Sequence, residues 1–187
     1  RDSVASRGLG DVYKEGITLN LYKVTGFYVG ETKQITAKYS SDVTKLTWTS
    51  SNEAVATVDE NGLITAVDGG STTVTASFGE YAESCEVTVT KPAVSINKSK
   101  VSLYVSNSTN LSAATTPSGA AVTWSSDNTN VVTVSDGKVK AVAEGTATIR
   151  AKMTYAGKTY ESACKVTVEK PSVSLSKSSV TLDPAGS

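Results

Sequence analysis

Histidine is missing from this chain of 187 residues. Its absence removes the commonest metal ligand and the usual general base. It also rules out any Ser-His-Asp or Cys-His arrangement. Cysteine is scarce: Cys85 and Cys164 are the only two, too few for a disulfide framework. Charge of either sign is not in excess, with 18 basic and 18 acidic residues. A neutral chain without blocks of like charge lacks the basic face that nucleic acid selects, so no nucleic-acid partner is expected. Hydrophobic residues make up 39% with no long apolar run, so no membrane insertion is expected. There is no Gly-rich phosphate loop, and no apolar spacing of helical type survives beyond one turn. No signal peptide is visible and the first residue is Arg1. That start reads as a mature piece of something larger.

What is present is repetition. Leu46-Thr-Trp48-Thr-Ser-Ser-Asn52 returns as Val122-Thr-Trp124-Ser-Ser-Asp-Asn128. Ser84-Cys85-Glu-Val87-Thr-Val89-Thr-Lys91-Pro92 returns as Ala163-Cys164-Lys-Val166-Thr-Val168-Glu-Lys170-Pro171. The tryptophans are 124 − 48 = 76 positions apart and the cysteines 164 − 85 = 79. Pro171-Ser-Val173-Ser-Leu175 then copies Pro92-Ala-Val94-Ser-Ile96. A fixed period marks an array of modules. The expected organisation is a tail or linker over 1–16, one module over 17–91, a second over 92–170, and the opening strands of a third over 171–187. A module of this size buries roughly 60–65% of its unfolded surface and can fold alone with a modest margin.

Nearly every stretch alternates at period two and is rich in Val, Thr, Ser and Ile, the pattern of half-buried strands. In the second module strands are expected over 94–96 and 101–105 (one strand, broken), 109–115, 121–125, 131–134, 138–142, 145–153 and 159–168. In the first they are expected over 17–21, 27–29, 34–39, 45–49, 54–58, 63–67, 72–78 and 82–90. Ser135-Asp136-Gly137 is a tight hairpin signal, and Thr116-Pro117-Ser118-Gly119 reads as a turn. Asp59-Glu-Asn-Gly62 is one residue longer than its counterpart, and the last loop of the second module is expected to be three residues longer than Gly79-Glu80. Short strands at regular spacing predict an all-β fold: tandem Greek-key β-sandwiches of immunoglobulin type. The Lys-Pro junctions lack a Gly/Ser linker, so a semi-rigid rod is expected.

Candidate residues sort by parity along their strands. Trp48 and Trp124 share parity with Leu46 and Val122, which predicts core rather than a sugar-stacking platform. Cys85 and Cys164 share parity with Val87 and Val89 and with Val166 and Val168. They are expected to be buried free thiols behaving as small apolar residues, with no His nearby to activate them. Acidic residues near turns (Asp59, Glu60, Asp68, Asp127, Asp136, Glu144) are too scattered for calcium, which needs six to eight oxygens. They fit turn chemistry instead. No metal and no cofactor is expected. Tyr22, Tyr28, Tyr39, Phe78 and Tyr81 read as exposed in the first module, and Tyr104, Tyr155 and Tyr160 in the second. Packing at strand edges is the expected role of these aromatics; Phe78, Tyr81, Tyr155 and Tyr160, near the last loops, are the candidate contact surface if there is one. Asn97, Asn107 and Asn110 open glycosylation triplets, which chance supplies freely in so Ser/Thr-rich a chain.

The run from Val122 to Val134, with Asp136-Gly-Lys-Val139-Lys-Ala141, Gly145-Thr-Ala-Thr-Ile149 and Cys164-Lys-Val-Thr-Val168, resembles the bacterial immunoglobulin-like domain of group 2. That module is found in intimin- and invasin-type surface proteins. The first module is similar through Leu46–Asn52, Ala56-Thr-Val58-Asp59, Asn61-Gly-Leu-Ile64-Thr-Ala66 and Ser71-Thr-Thr-Val74. The resemblance implies a non-catalytic bacterial surface module, a semi-rigid stalk or an adhesive domain, acting outside the cell. Its protein or glycan ligand would be met at that surface. Decoration of a phage capsid or tail, and a carbohydrate-binding accessory module of a secreted enzyme, are the alternatives it leaves open. It carries no catalytic residues over. The fragment 171–187 cannot bury Val173, Leu175, Val180 and Leu182 alone, which leaves two readings: a third module cut short, or a strand added to a neighbouring module's sheet edge.

Overall fold

The computed structural model of the chain describes residues 16–39 and 45–173. It is all-β and divides into two compact units, with the boundary along the chain between Pro92 and Ala93. The first unit contains β1 (Thr18–Leu19), β2 (Lys23–Tyr28), β3 (Thr32–Gln34), β4 (Ala37–Lys38), β5 (Thr47–Ser50), β6 (Ala56–Val58), β7 (Leu63–Ala66), β8 (Gly70–Phe78) and β9 (Tyr81–Thr90). The second contains β10 (Ala93–Ile96), β11 (Lys100–Tyr104), β12 (Ser108–Asn110), β13 (Ala113–Thr116), β14 (Thr123–Ser126), β15 (Val132–Ser135), β16 (Lys138–Ala141), β17 (Gly145–Tyr155) and β18 (Lys158–Glu169).

Each unit is a β-sandwich with the same plan. A four-stranded sheet has the order β2-β9-β8-β5, repeated as β11-β18-β17-β14. A three-stranded sheet has the order β3-β7-β6, repeated as β12-β16-β15. A short pair, β1-β4 or β10-β13, accompanies them. The plan explains why the opening strand of each module looks interrupted in the sequence. β10 pairs antiparallel with β13, whereas β11 pairs parallel with β18. The break between 96 and 100 is where the chain changes partners. The expected single strands over 34–39 and 109–115 divide for the same reason, into β3 and β4 and into β12 and β13.

The alternation works as a period of two predicts. Along β9, Cys85, Val87 and Val89 are buried while Ser84, Glu86 and Thr88 are exposed. Opposite them Val74 and Ala76 of β8 and Ile64 and Ala66 of β7 close the first core. In the second unit Ile149, Cys164, Val166, Val168, Val132 and Val139 do the same.

The longer last loop expected in the second module is instead a longer hairpin. Gly79-Glu80 and Ala156-Gly157 both link their strands with two residues. The extra length sits in the arms: 9 and 10 residues in β8 and β9, but 11 and 12 in β17 and β18. Growing both arms equally keeps every side chain on its original face. β2 also begins earlier than expected, at Lys23. Residues 1–15 of the expected tail and 174–187 of the expected third repeat lie outside the described residues.

Candidate functional site

The cysteines sit at the centre of each core, and both are free. Burial pushes both thiols above their ordinary range, the opposite of what a nucleophile needs. Val87 and Val166 are buried beside them. The tryptophans differ from the inner pins that parity predicts. Trp48 and Trp124 are half-buried and pack against the core from its rim. The reason lies in the turns they cover. The turn residues Gly62 and Gly137 have φ of +80° and +79°, and their carbonyls accept hydrogen bonds from Ile35 N (3.0 Å) and Leu111 N (2.8 Å). Each indole lies against that glycine.

Asp59, Glu60, Asp68, Asp127 and Glu144 commit oxygens locally, while Asp136 takes a positive φ of 47° in its hairpin turn. Asp59 Oδ1 accepts from the amides of Asn61 (2.9 Å) and Leu63 (2.8 Å). Asp127 Oδ1 accepts from Thr148 N at 2.7 Å. Asp68 accepts from Gly69 N and pairs with Lys91, both at 2.8 Å or closer. Glu60 pairs with Lys45 at 2.7 Å and Glu144 with Lys170 at 3.4 Å. Among the described residues no group of three or more His, Cys, Asp or Glu is placed to hold a metal ion.

Of the candidate contact aromatics, Phe78 and Tyr81 come together as the last cross-strand pair of their hairpin, and both are exposed. Tyr155 ends β17 and Tyr160 lies on β18, where it is half-buried, against the expectation of exposure. Tyr22, Tyr39 and Tyr104 are exposed.

One concavity escapes the sequence reading. A cavity of about 490 Å³ in the first unit is lined by Thr36, Tyr39, Lys45, Trp48, Glu60 and Asn61, among others. These residues lie far apart in sequence and meet where β4, β5 and the turn before β7 converge. An exposed tyrosine and an indole edge beside amide and charged groups suit a neutral hydrogen-bonding ligand. The matching positions of the second unit, offset by 76, are Thr115 for Tyr39 and Ala121 for Lys45. No periodicity signal marks such a rim, because its residues face sideways from three separate elements.

A family model described as bacterial Ig-like domain (group 2) matches residues 22–89 and 91–161. An uncharacterized protein of Clostridium acetobutylicum is 35% identical over 152 residues, covering 75% of this chain and 16% of that protein. Ice-binding protein 1 of Shewanella frigidimarina is 31% identical over 139 residues, covering 63% of this chain and 16% of that protein. The chain thus spans about a sixth of the length of either relative. Among solved structures, domains 4 and 5 of the S-layer protein SbsC superpose with a TM-score of 0.38 at 21% identity, over 82% of this chain and 96% of that one. The C-terminal fragment of intimin, solved with the intimin-binding domain of its translocated receptor, gives 0.38 at 17% identity, over 81% and 62%.

Proposed function

Because the chain belongs to the bacterial Ig-like domain (group 2) family, we propose that it is a non-catalytic, extracellular module of a bacterial surface protein, acting as a stalk. Its two repeats, 17–91 and 92–170, would set a distance between an anchor and whatever they hold up. The observation that carries this reading is what the two units share and what they do not. Both keep the buried cysteine, the Trp-covered turn and the parallel closing strand. Their outer surfaces differ. Thr73, Thr75 and Ser77 of β8 face outward in the first unit, where β17 of the second presents Arg150 and Lys152, paired with Glu161. A ligand common to both repeats would need a common surface. Only what the fold requires is held in common.

A second reading attaches to the first unit alone. The cavity beside Trp48 and Tyr39 supports a carbohydrate-binding role there, since an exposed tyrosine beside amide and charged groups offers a sugar apolar contact and hydrogen bonds.

One experiment separates the two: titrating the chain against glycan arrays, extracellular-matrix proteins and whole cells, with and without calcium. A stalk gives no saturable binding. Saturable binding abolished by Tyr39→Ala would replace the stalk reading with a sugar-binding one. Binding abolished instead by Phe78→Ala or Tyr81→Ala would make the hairpin tip an adhesive surface.

A further inference from the structure

We infer that the two units form a mechanical hierarchy in which the first yields to tension before the second. In each unit an early strand and the last strand are parallel neighbours: β2 beside β9, and β11 beside β18. Tension on a chain pulls the early strand toward its N-terminal end and the last strand toward its C-terminal end. For parallel neighbours those pulls slide one strand along the other. The hydrogen bonds between them are then strained together, in shear, rather than peeled one at a time.

The second unit meets that load with an unbroken ladder. Lys100 through Tyr104 pair in register with Lys165 through Glu169. The ladder is closed at its ends by Lys165 N to Ser99 O and Val105 N to Glu169 O, both 3.0 Å. The first unit has matching end bonds, Glu86 N to Tyr22 O at 2.9 Å and Val29 N to Thr90 O at 3.1 Å. Between them its register is broken. Val24 pairs with Val87, but the next pair is Phe27 with Val89. Three steps along β2 match two along β9, so one extra residue bulges out. Gly26, at φ +64°, supplies the turn in the backbone. A bulge puts slack into one strand only. The bonds on either side of it cannot share the load equally, and the two short runs fail in succession.

A second difference points the same way. The strand loaded first in each unit is tied by two residue pairs in β1-β4 but by four in β10-β13. Both ties of the first unit are therefore the weaker version. Under rising force the first repeat extends while the second still holds its fold. Such a hierarchy serves the protein only if the stalk reading holds, but the rupture forces follow from each unit's own strand pairing and register.

The test is single-molecule force spectroscopy on the whole chain, held between handle domains of known rupture force. Forced unfolding reads the unfolding rate under load. Two events of unequal force are expected. Deleting Gly26, which brings Val24 and Phe27 into continuous register, should raise the lower event toward the upper one. Leu103→Pro, which removes an amide from the intact ladder, should lower the upper event and leave the lower unchanged. Should the deletion not fold, inserting a glycine between Val101 and Ser102 builds the bulge into the second unit and must lower the upper event. A single common rupture force, or a lower event that a folded Gly26 deletion does not move, overturns the inference. A chain that instead binds a ligand defeats the stalk reading and leaves these forces as they are.

Discussion

The indole of Trp48 lies so close to Gly62 that a Cβ on the glycine would fall 2.8 Å from its Cζ2. The relation recurs between Trp124 and Gly137, where the same distance would be 3.4 Å. The tryptophan lies over the hairpin turn joining β6 to β7, or β15 to β16, and closes the rim of the sandwich there. Its partner must be glycine on two counts: the backbone is left-handed, and no room remains for a side chain.

Gly62→Ala should therefore lower the stability of the first unit by about 2 kcal/mol or more, since a left-handed L-residue alone costs about 1–2 kcal/mol. Gly79→Ala is the control. Gly79 also has a positive φ, +56°, but open space around it. It should show the backbone cost only. Urea unfolding followed by tryptophan fluorescence measures both. Equal losses would mean that the crowding at Gly62, where a Cβ would fall 2.5 Å from Ile35 O as well as 2.8 Å from Trp48, contributes nothing.

Thr72 is a buried polar residue of the first core. Its Oγ1 accepts from Asn52 N at 2.9 Å and lies 3.0 Å from Ser50 Oγ and 3.1 Å from Ser51 Oγ. The position offset by 75 in the second unit is Ala147, also buried, and there Asn128 N turns to Ser126 Oγ at 3.3 Å. Thr72→Val keeps the shape and removes the acceptor. It should cost about 1–3 kcal/mol, the usual penalty of a buried group left unpaired. If the urea midpoint does not move, Ser50 Oγ, 3.4 Å from the Asn52 amide, has taken over.

The strands and the two cores were legible because β-structure writes itself at period two, as Cys85, Val87 and Val89 show. Two features were not. The first is partner exchange. Nothing in Val94–Ile96 and Val101–Val105 says that they pair with different strands, since that depends on β13 and β18, far along the chain. The second is the rim. Parity assigns Trp48 to the inside but cannot say how deep it sits, and an indole at the edge of a sandwich is both core and surface. Tyr39, Lys45 and Asn61 converge through the sandwich's closure, not through any spacing of their own. The bulge at Gly26 was open to reading, because a glycine inside an alternating strand is its usual mark.

Cys85 and Cys164 should resist thiol reagents in the folded protein and react together with global unfolding of their own units. Both are fully buried, with thiols held above their ordinary range. Ellman's reagent titrated along a urea gradient would thus report the two units separately in Cys85→Ala and Cys164→Ala variants. Cys85→Ser should be more disruptive than Cys85→Ala, because an unpaired hydroxyl in an apolar core costs about 1–3 kcal/mol. Rapid labelling of either thiol at low urea would contradict the burial.

Each unit carries an acid-sensitive cap, at a different place. In the first, amide hydrogen bonds, Leu63's foremost, hold Asp59 below the usual carboxylate range. The position 76 residues on is the neutral Ser135. In the second, the amide of Thr148 lowers Asp127, with help from the Arg150 charge. The equivalent acceptor in the first unit is Ser51 Oγ, 2.9 Å from Thr73 N. A carboxylate whose pKa is depressed by folding stabilises the fold fully above its unfolded value of about 3.9. That contribution is lost as pH falls below this value and through the folded pKa. Both units should therefore weaken in acid, each through its own cap. Asp127→Asn keeps an acceptor oxygen but removes the titration, so it should flatten the acid limb of the second unit alone. Asp59→Asn should do so for the first. The readout is the urea midpoint of each unit between pH 7 and 3, followed by tryptophan fluorescence in Trp124→Phe and Trp48→Phe backgrounds, which leave one reporter in the first or the second unit. An acid limb unchanged by either substitution would place the sensitivity in the ion pairs instead, where Lys91 lowers Asp68 and Arg150 and Lys152 lower Glu161. In that case added salt, which screens exposed pairs, should flatten it where the asparagines did not.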